Sequence, residues 1–149
     1  MGYSVESTEG YEIKRRERPL AVTNRYEFTK VGIVGCGILG QEISRMVSSH
    51  GIEVTFVEIS EAKIQQAMHG IASELDRMIE RWGMTESEKK AILSRIEGTM
   101  NYEDLSGAEI VIESVKSRSR ESSVDLRKRI FREIESNIAP DAIIATNST

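Results

Sequence analysis

The pattern of apolar and polar positions changes at Val31. Residues 1–30 are mostly polar and carry a basic run, Lys14-Arg15-Arg16-Glu17-Arg18, ahead of Pro19. That texture predicts an arm, flexible or packed on a domain edge. From Val31 the short apolar run Val31-Gly32-Ile33-Val34 predicts a buried strand. Ile38 to Ser49 sets Leu39, Ile43, Met46 and Val47 at helical spacing, and Gly51 ends that helix. Glu53 to Glu58 reads as the second strand, which completes a strand–turn–helix–strand unit. Ser60 to Trp82 is a long helix with one apolar stripe of Ile64, Ala67, Met68, Ile71, Leu75, Met78 and Ile79. Ser60 is placed to cap its start and Gly83 to end it. Thr85, with Glu88 three residues on, forms a capping box for a second helix, and Ala91, Ile92 and Ile96 face its partner.

A short third strand is expected within Ile96 to Met100, and a clear fourth over Glu109 to Glu113. Asp125 to Ile138 is helical, with Ile130, Phe131 and Ile134 inward, and Pro140-Asp141 turns the chain into a fifth strand, Ala142 to Ala145. Strands alternating with helices predict an α/β fold, a Rossmann-type doubly wound parallel sheet with an inserted helical hairpin. One such domain spans residues 31–149, behind an arm at 1–30.

Composition narrows the function classes. The 149 residues suffice for one core, and 39% hydrophobic with 30% charged is an ordinary globular balance. A net charge of −4 argues against a nucleic-acid or membrane surface. No apolar run approaches the roughly 20 residues of a membrane helix, and the N-terminus lacks a signal-peptide core. The single cysteine, Cys36, has no partner for an internal disulfide, which fits a reducing cytoplasm. His50, His69 and Cys36 are widely separated, so no metal site is expected; both histidines read as plain helical residues.

Gly35-Cys36-Gly37-Ile38-Leu39-Gly40 fits G-x-G-x-x-G. The motif alone is common; here it follows a strand, opens a helix and is trailed by an acidic residue ending the next strand. Gly35 permits the tight turn, Gly37 admits a pyrophosphate to the backbone, and Gly40 lets helix and strand pack closely. Free N–H groups and the helix dipole favour the anion. Glu58, 23 residues after Gly35, would accept hydrogen bonds from the adenosine ribose and repel a 2′-phosphate, which favours NAD over NADP. Cys36 reads as a small filler, since nothing basic adjoins it.

Several further segments, in order, resemble the NAD-binding domain of the 3-hydroxyacyl-CoA dehydrogenases from Val31 to Thr149. They are the loop GCGILG, the hairpin with Thr85-Glu86-Ser87-Glu88, Ile96-Glu97-Gly98-Thr99, Tyr102-Glu103-Asp104-Leu105, Glu109 to Val115, Arg129-Ile130-Phe131, and the ending Ala145-Thr146-Asn147-Ser148-Thr149. The resemblance implies oxidation of an L-3-hydroxyacyl-CoA to the 3-ketoacyl-CoA, with NAD accepting the hydride. It places Ser114 and Val115 along the cofactor, Asn147 near the nicotinamide ribose, and the Thr149 hydroxyl where the family has a serine touching substrate and cofactor. Lys63 and Lys89 or Lys90 are candidates for the CoA nucleotide.

Two departures from the family stand out. Its acidic residue and lysine after the fourth strand are replaced by a longer stretch, in which Arg127 takes the lysine's place and Glu121 or Asp125 the acid's. The family's catalytic histidine lies about twenty residues beyond the Thr149 position, followed by a helical domain that completes the acyl-CoA site and the dimer. The expectation is therefore a fragment that binds NAD without the base, whose loss typically removes roughly 10²–10⁴-fold in rate. The cofactor domain of a CoA-independent 3-hydroxy-acid dehydrogenase, or a stand-alone NAD-binding or regulatory module, are the alternatives.

Overall fold

The structure is a computed structural model that describes residues 27–116 and 123–147. Five parallel strands form one sheet in the order β3-β2-β1-β4-β5. They are β1 (Lys30–Val34), β2 (Glu53–Val57), β3 (Ile96–Thr99), β4 (Ile110–Glu113) and β5 (Ile143–Thr146). The first crossover runs through α1 (Ile38–Ser49); the second carries the helical hairpin α2 (Glu61–Trp82) and α3 (Glu86–Ser94). A 3₁₀ turn at Tyr102–Leu105 leads into β4, and α4 (Ser123–Asn137) joins β4 to β5.

Strand side chains alternate between the faces, so the sheet feeds two cores. Val31, Ile33, Val54 and Phe56 pack with Ile64, Ala67, Ile71, Leu75 and Ile92 of the hairpin, and with Ile43 and Val47 of α1. Val34, Val57 and Val111 pack on the other face against Leu105, Ile130 and Ile134. The predicted stripe of α2 is its buried face from Ile64 to Leu75, with Met68 and Met78 at the margin and Ile79 only half-buried. The Ser60 hydroxyl accepts from the Lys63 N–H, Gly83 sits left-handed at φ 74, and the Thr85–Glu88 box is complete.

The boundaries shift by a residue or two. β1 begins at Lys30, inside the expected arm, and β5 runs one residue later than Ala142–Ala145. α4 starts at Ser123 rather than Asp125 and ends at Asn137. β4 begins at Ile110, although Glu109 N donates to Lys30 O and Glu109 O accepts from Ile143 N; the Glu109 carboxylate accepts from Thr29 N at 2.6 Å, Thr29 Oγ1 at 3.0 Å and Lys30 N at 3.0 Å. In α1, Leu39 and Met46 are exposed, while Ser44 and Ser48 are fully buried. Their hydroxyls donate to Gly40 O at 2.7 Å and Ile92 O at 2.7 Å, which satisfies them inside the helix contacts. Among the described residues no helix is long and apolar enough to cross a membrane.

Phe56 is fully buried at the centre of the larger core, so Phe56→Ala is expected to cost about 3–5 kcal/mol in denaturant unfolding. A loss below about 1 kcal/mol would contradict that packing. The three bonds to Glu109 hold its carboxyl below the usual range. A carboxyl depressed on folding stabilises above its unfolded pKa and loses that contribution as pH falls through the folded value. Thermal melts of Glu109→Gln should fall below the parent at pH 7, with the gap closing below about pH 4. A gap that persists unchanged to pH 2 would refute the assignment.

Candidate functional site

The crossover through α1 packs on one face of the sheet and α4 on the other, so the C-terminal ends of β1 and β4 flank a topological switch point. In open α/β sheets such a crevice is where ligands bind. Gly35 leaves β1 at φ 90, in the left-handed region, with its N–H on Val57 O at 2.9 Å. A Cβ there would lie 2.9 Å from Val115 Cγ2 and 3.1 Å from the Ser114 carbonyl. A Cβ on Gly40 would stand 2.6 Å from the Gly35 carbonyl oxygen. Both glycines are therefore required by the chain's own packing.

Gly37 differs. Its backbone (φ −75, ψ −159) is one any residue adopts, and a Cβ on it would meet nothing within 4 Å among the described residues. It caps α1 without a side-chain hydrogen bond, and the first turn of α1 carries no acidic residue. The start of α1 is thus an open cradle of backbone amides at the positive end of a helix dipole. Ile38, 82% exposed, and Leu39 line it. Gln41 braces the loop from below: its N–H donates to Gly37 O at 2.9 Å and its side-chain amide to Cys36 O at 3.2 Å. Gly70 of α2 leaves room for that amide, since a Cβ there would collide with Gln41 Oε1. The Cys36 side chain points inward, and burial pushes its thiol up to about 12, so it stays protonated and unreactive at neutral pH.

Glu58 follows β2 directly, with its N–H on Thr99 O at 2.9 Å. Its carboxylate returns to the loop, accepting from Cys36 N at 2.7 Å and from Ile59 N at 3.1 Å. On the other side of β1, Ser114 N donates to Val34 O at 2.8 Å and Asn147 N to Glu113 O at 2.9 Å. The Asn147 amide donates to Ser114 Oγ at 3.3 Å. The loop glycines, Glu58, Ser114, Val115 and Asn147 are therefore brought to one edge of the sheet.

Arg127 of α4 sends its Nε to 3.9 Å from Glu113 Oε1. Asp125 is exposed in the first turn of α4. Glu121 and Thr149 lie outside the described residues. Lys89 pairs with Asp76 across the hairpin, while Lys63 and Lys90 are exposed. His50 caps the far end of α1, with Nδ1 2.9 Å from Met46 O. Sequence reasoning missed Gln41, Ser44 and the fully buried Glu113. The spacing of Gln41 just past Gly40 was the available signal; the other two carry none, since a polar residue in a helix or at a strand end reads as solvated.

Residues 30–149 match the family described as "3-hydroxyacyl-CoA dehydrogenase, NAD binding domain". A 3-hydroxybutyryl-CoA dehydrogenase of Mycobacterium tuberculosis is 31% identical over 121 residues, 80% of this chain and 41% of that protein. The alpha subunit of a Psychrobacter fatty acid oxidation complex is 28% identical over 126 residues, 85% of this chain and 17% of the subunit. The crystal structure of an (S)-3-hydroxybutyryl-CoA dehydrogenase from Ralstonia eutropha superposes with a TM-score of 0.74 at 35% identity, covering 82% of this chain and 41% of that one. The chain thus spans well under half the length of these relatives. It belongs to the 3-hydroxyacyl-CoA dehydrogenase family, and the part of that family it represents is the NAD-binding domain.

Proposed function

We propose that this chain supplies the cofactor half of an L-3-hydroxyacyl-CoA dehydrogenase, binding NAD while the rest of the enzyme holds the acyl-CoA. The observation that carries this reading is Gly37: a Cβ there would meet nothing within 4 Å among the described residues, so the glycine leaves the backbone amides open to a ligand. Held by these residues, NAD would supply the hydride acceptor for oxidation at the substrate's C3.

The amides at Gly37, Ile38 and Leu39 hold the pyrophosphate, with Gly35 and Gly40 shaping the turn. Glu58 accepts hydrogen bonds from the adenosine ribose, trading its contact with Cys36 N. Its negative charge, followed by Ile59, Ser60 and Glu61 rather than an arginine, disfavours a 2′-phosphate. Ser114, Val115 and Asn147 line the nicotinamide end, and Thr149 is the residue assigned to supply a hydroxyl to substrate and cofactor. Arg127 supplies positive charge beside that end. The exposed Lys63 and Lys90 are better placed for a CoA phosphate than Lys89, which Asp76 already engages. The proton acceptor is the family's histidine beyond the Thr149 position, so these 149 residues alone bind without turning over. In the whole enzyme a helical domain makes the dimer, and the setting is the cytoplasm.

Calorimetry on this chain should show NADH bound at least about tenfold more tightly than NADPH, which equals about 1.4 kcal/mol. Glu58→Gln should narrow that gap. Equal affinity, preference for NADPH, or no binding of either would contradict the proposal. Acetoacetyl-CoA added with NADH should give no oxidation at 340 nm; a sustained rate would overturn the division of labour.

A further inference from the structure

We propose that Glu113 is a positioning residue for the nicotinamide half of the site, a clamp that holds Val115, just after β4, against Thr146 at the end of β5. The inference rests on the cofactor reading above and goes beyond it. Glu113 is fully buried, at the last position of β4. A buried strand end ordinarily carries an aliphatic residue, and an ionised carboxylate there is costly unless it is hydrogen-bonded. Here its partners come from three separate elements. Oε2 accepts from Val115 N at 2.6 Å. Oε1 accepts from the Thr146 hydroxyl at 2.9 Å. The Arg127 guanidinium, 3.9 Å away, brings compensating charge from α4.

The strands do not need this bridge in order to pair. β4 and β5 are already in register from Ile110↔Ile143 to Glu113↔Thr146, and Asn147 N continues the ladder onto Glu113 O. What the carboxylate adds is a fixed placement of Val115 and of the chain at Thr146. Val115 lies against the Gly35 turn, and Asn147 follows Thr146 directly. Only a carboxylate offers both oxygens as acceptors to an N–H and an O–H together. Arg127, at the position that corresponds to the family's lysine, thereby acts on the site through Glu113 as well as by its own charge.

The test compares NADH with ADP, which carries the adenosine and pyrophosphate but no nicotinamide half. Thr146→Val removes the hydroxyl donor at an exposed position and should leave folding intact. Losing one charge-assisted hydrogen bond should weaken NADH about tenfold while ADP changes less than about twofold. Thr146→Ser should restore NADH affinity, and Glu113→Ala should weaken NADH more than Thr146→Val does. Unchanged NADH affinity in Thr146→Val, equal loss for NADH and ADP, or failure of serine to rescue would overturn the clamp. A parent chain that binds neither ligand would instead overturn the cofactor reading, and the clamp with it.

Discussion

The carbonyl oxygen of Gly35 and the α-carbon of Gly40 approach so closely that a single methyl group would sit 2.6 Å from that oxygen. This contact fixes how near α1 can come to the end of β1, and much of the site follows from it. It brings the first turn of α1 over the sheet edge, with its amides open at Gly37. It turns Cys36 inward, where the side chain is buried and its N–H meets Glu58. It also presses the Gly35 turn against Val115, so the loop after β4 is set by the same packing.

The edge of the sheet divides into two halves about β1. On the β2 side stand the open amides and Glu58, groups suited to phosphate and ribose hydroxyls. On the β4 and β5 side stand Ser114, Val115 and Asn147, tied together by the Asn147–Ser114 bond and by the buried Glu113. The first half is built from backbone dipoles and one half-buried carboxylate. The second depends on a buried charge and its partners, so it is the half more sensitive to substitution away from the ligand.

Much of the fold was legible because apolar runs and glycines report backbone needs locally. Val31–Val34 reads as a central strand because both its faces are covered, and the Thr85–Glu88 box is visible because its partners are three residues apart. The edges were less legible. Glu109 looks like an ordinary strand-end residue, and nothing local shows that its carboxylate is held by Thr29 and Lys30, about eighty positions away. Ser44 and Ser48 look solvent-facing because their acceptors cannot be read from helix periodicity. The glycine loop and Glu58 could be singled out because a ligand's demand sits in a short motif. Glu113 could not, because Thr146 lies 33 residues on and the pairing exists only once β4 and β5 are adjacent.

The most direct measurement is made on Gly37→Val. A side chain there meets open space in the protein and fills the cradle where the pyrophosphate is held. Because valine caps a helix less well than glycine, the melting temperature should fall by a few degrees with the chain still folded, while NADH affinity falls by at least about tenfold. A folded Gly37→Val chain that binds NADH as tightly as the parent would show that the cradle is not the cofactor site.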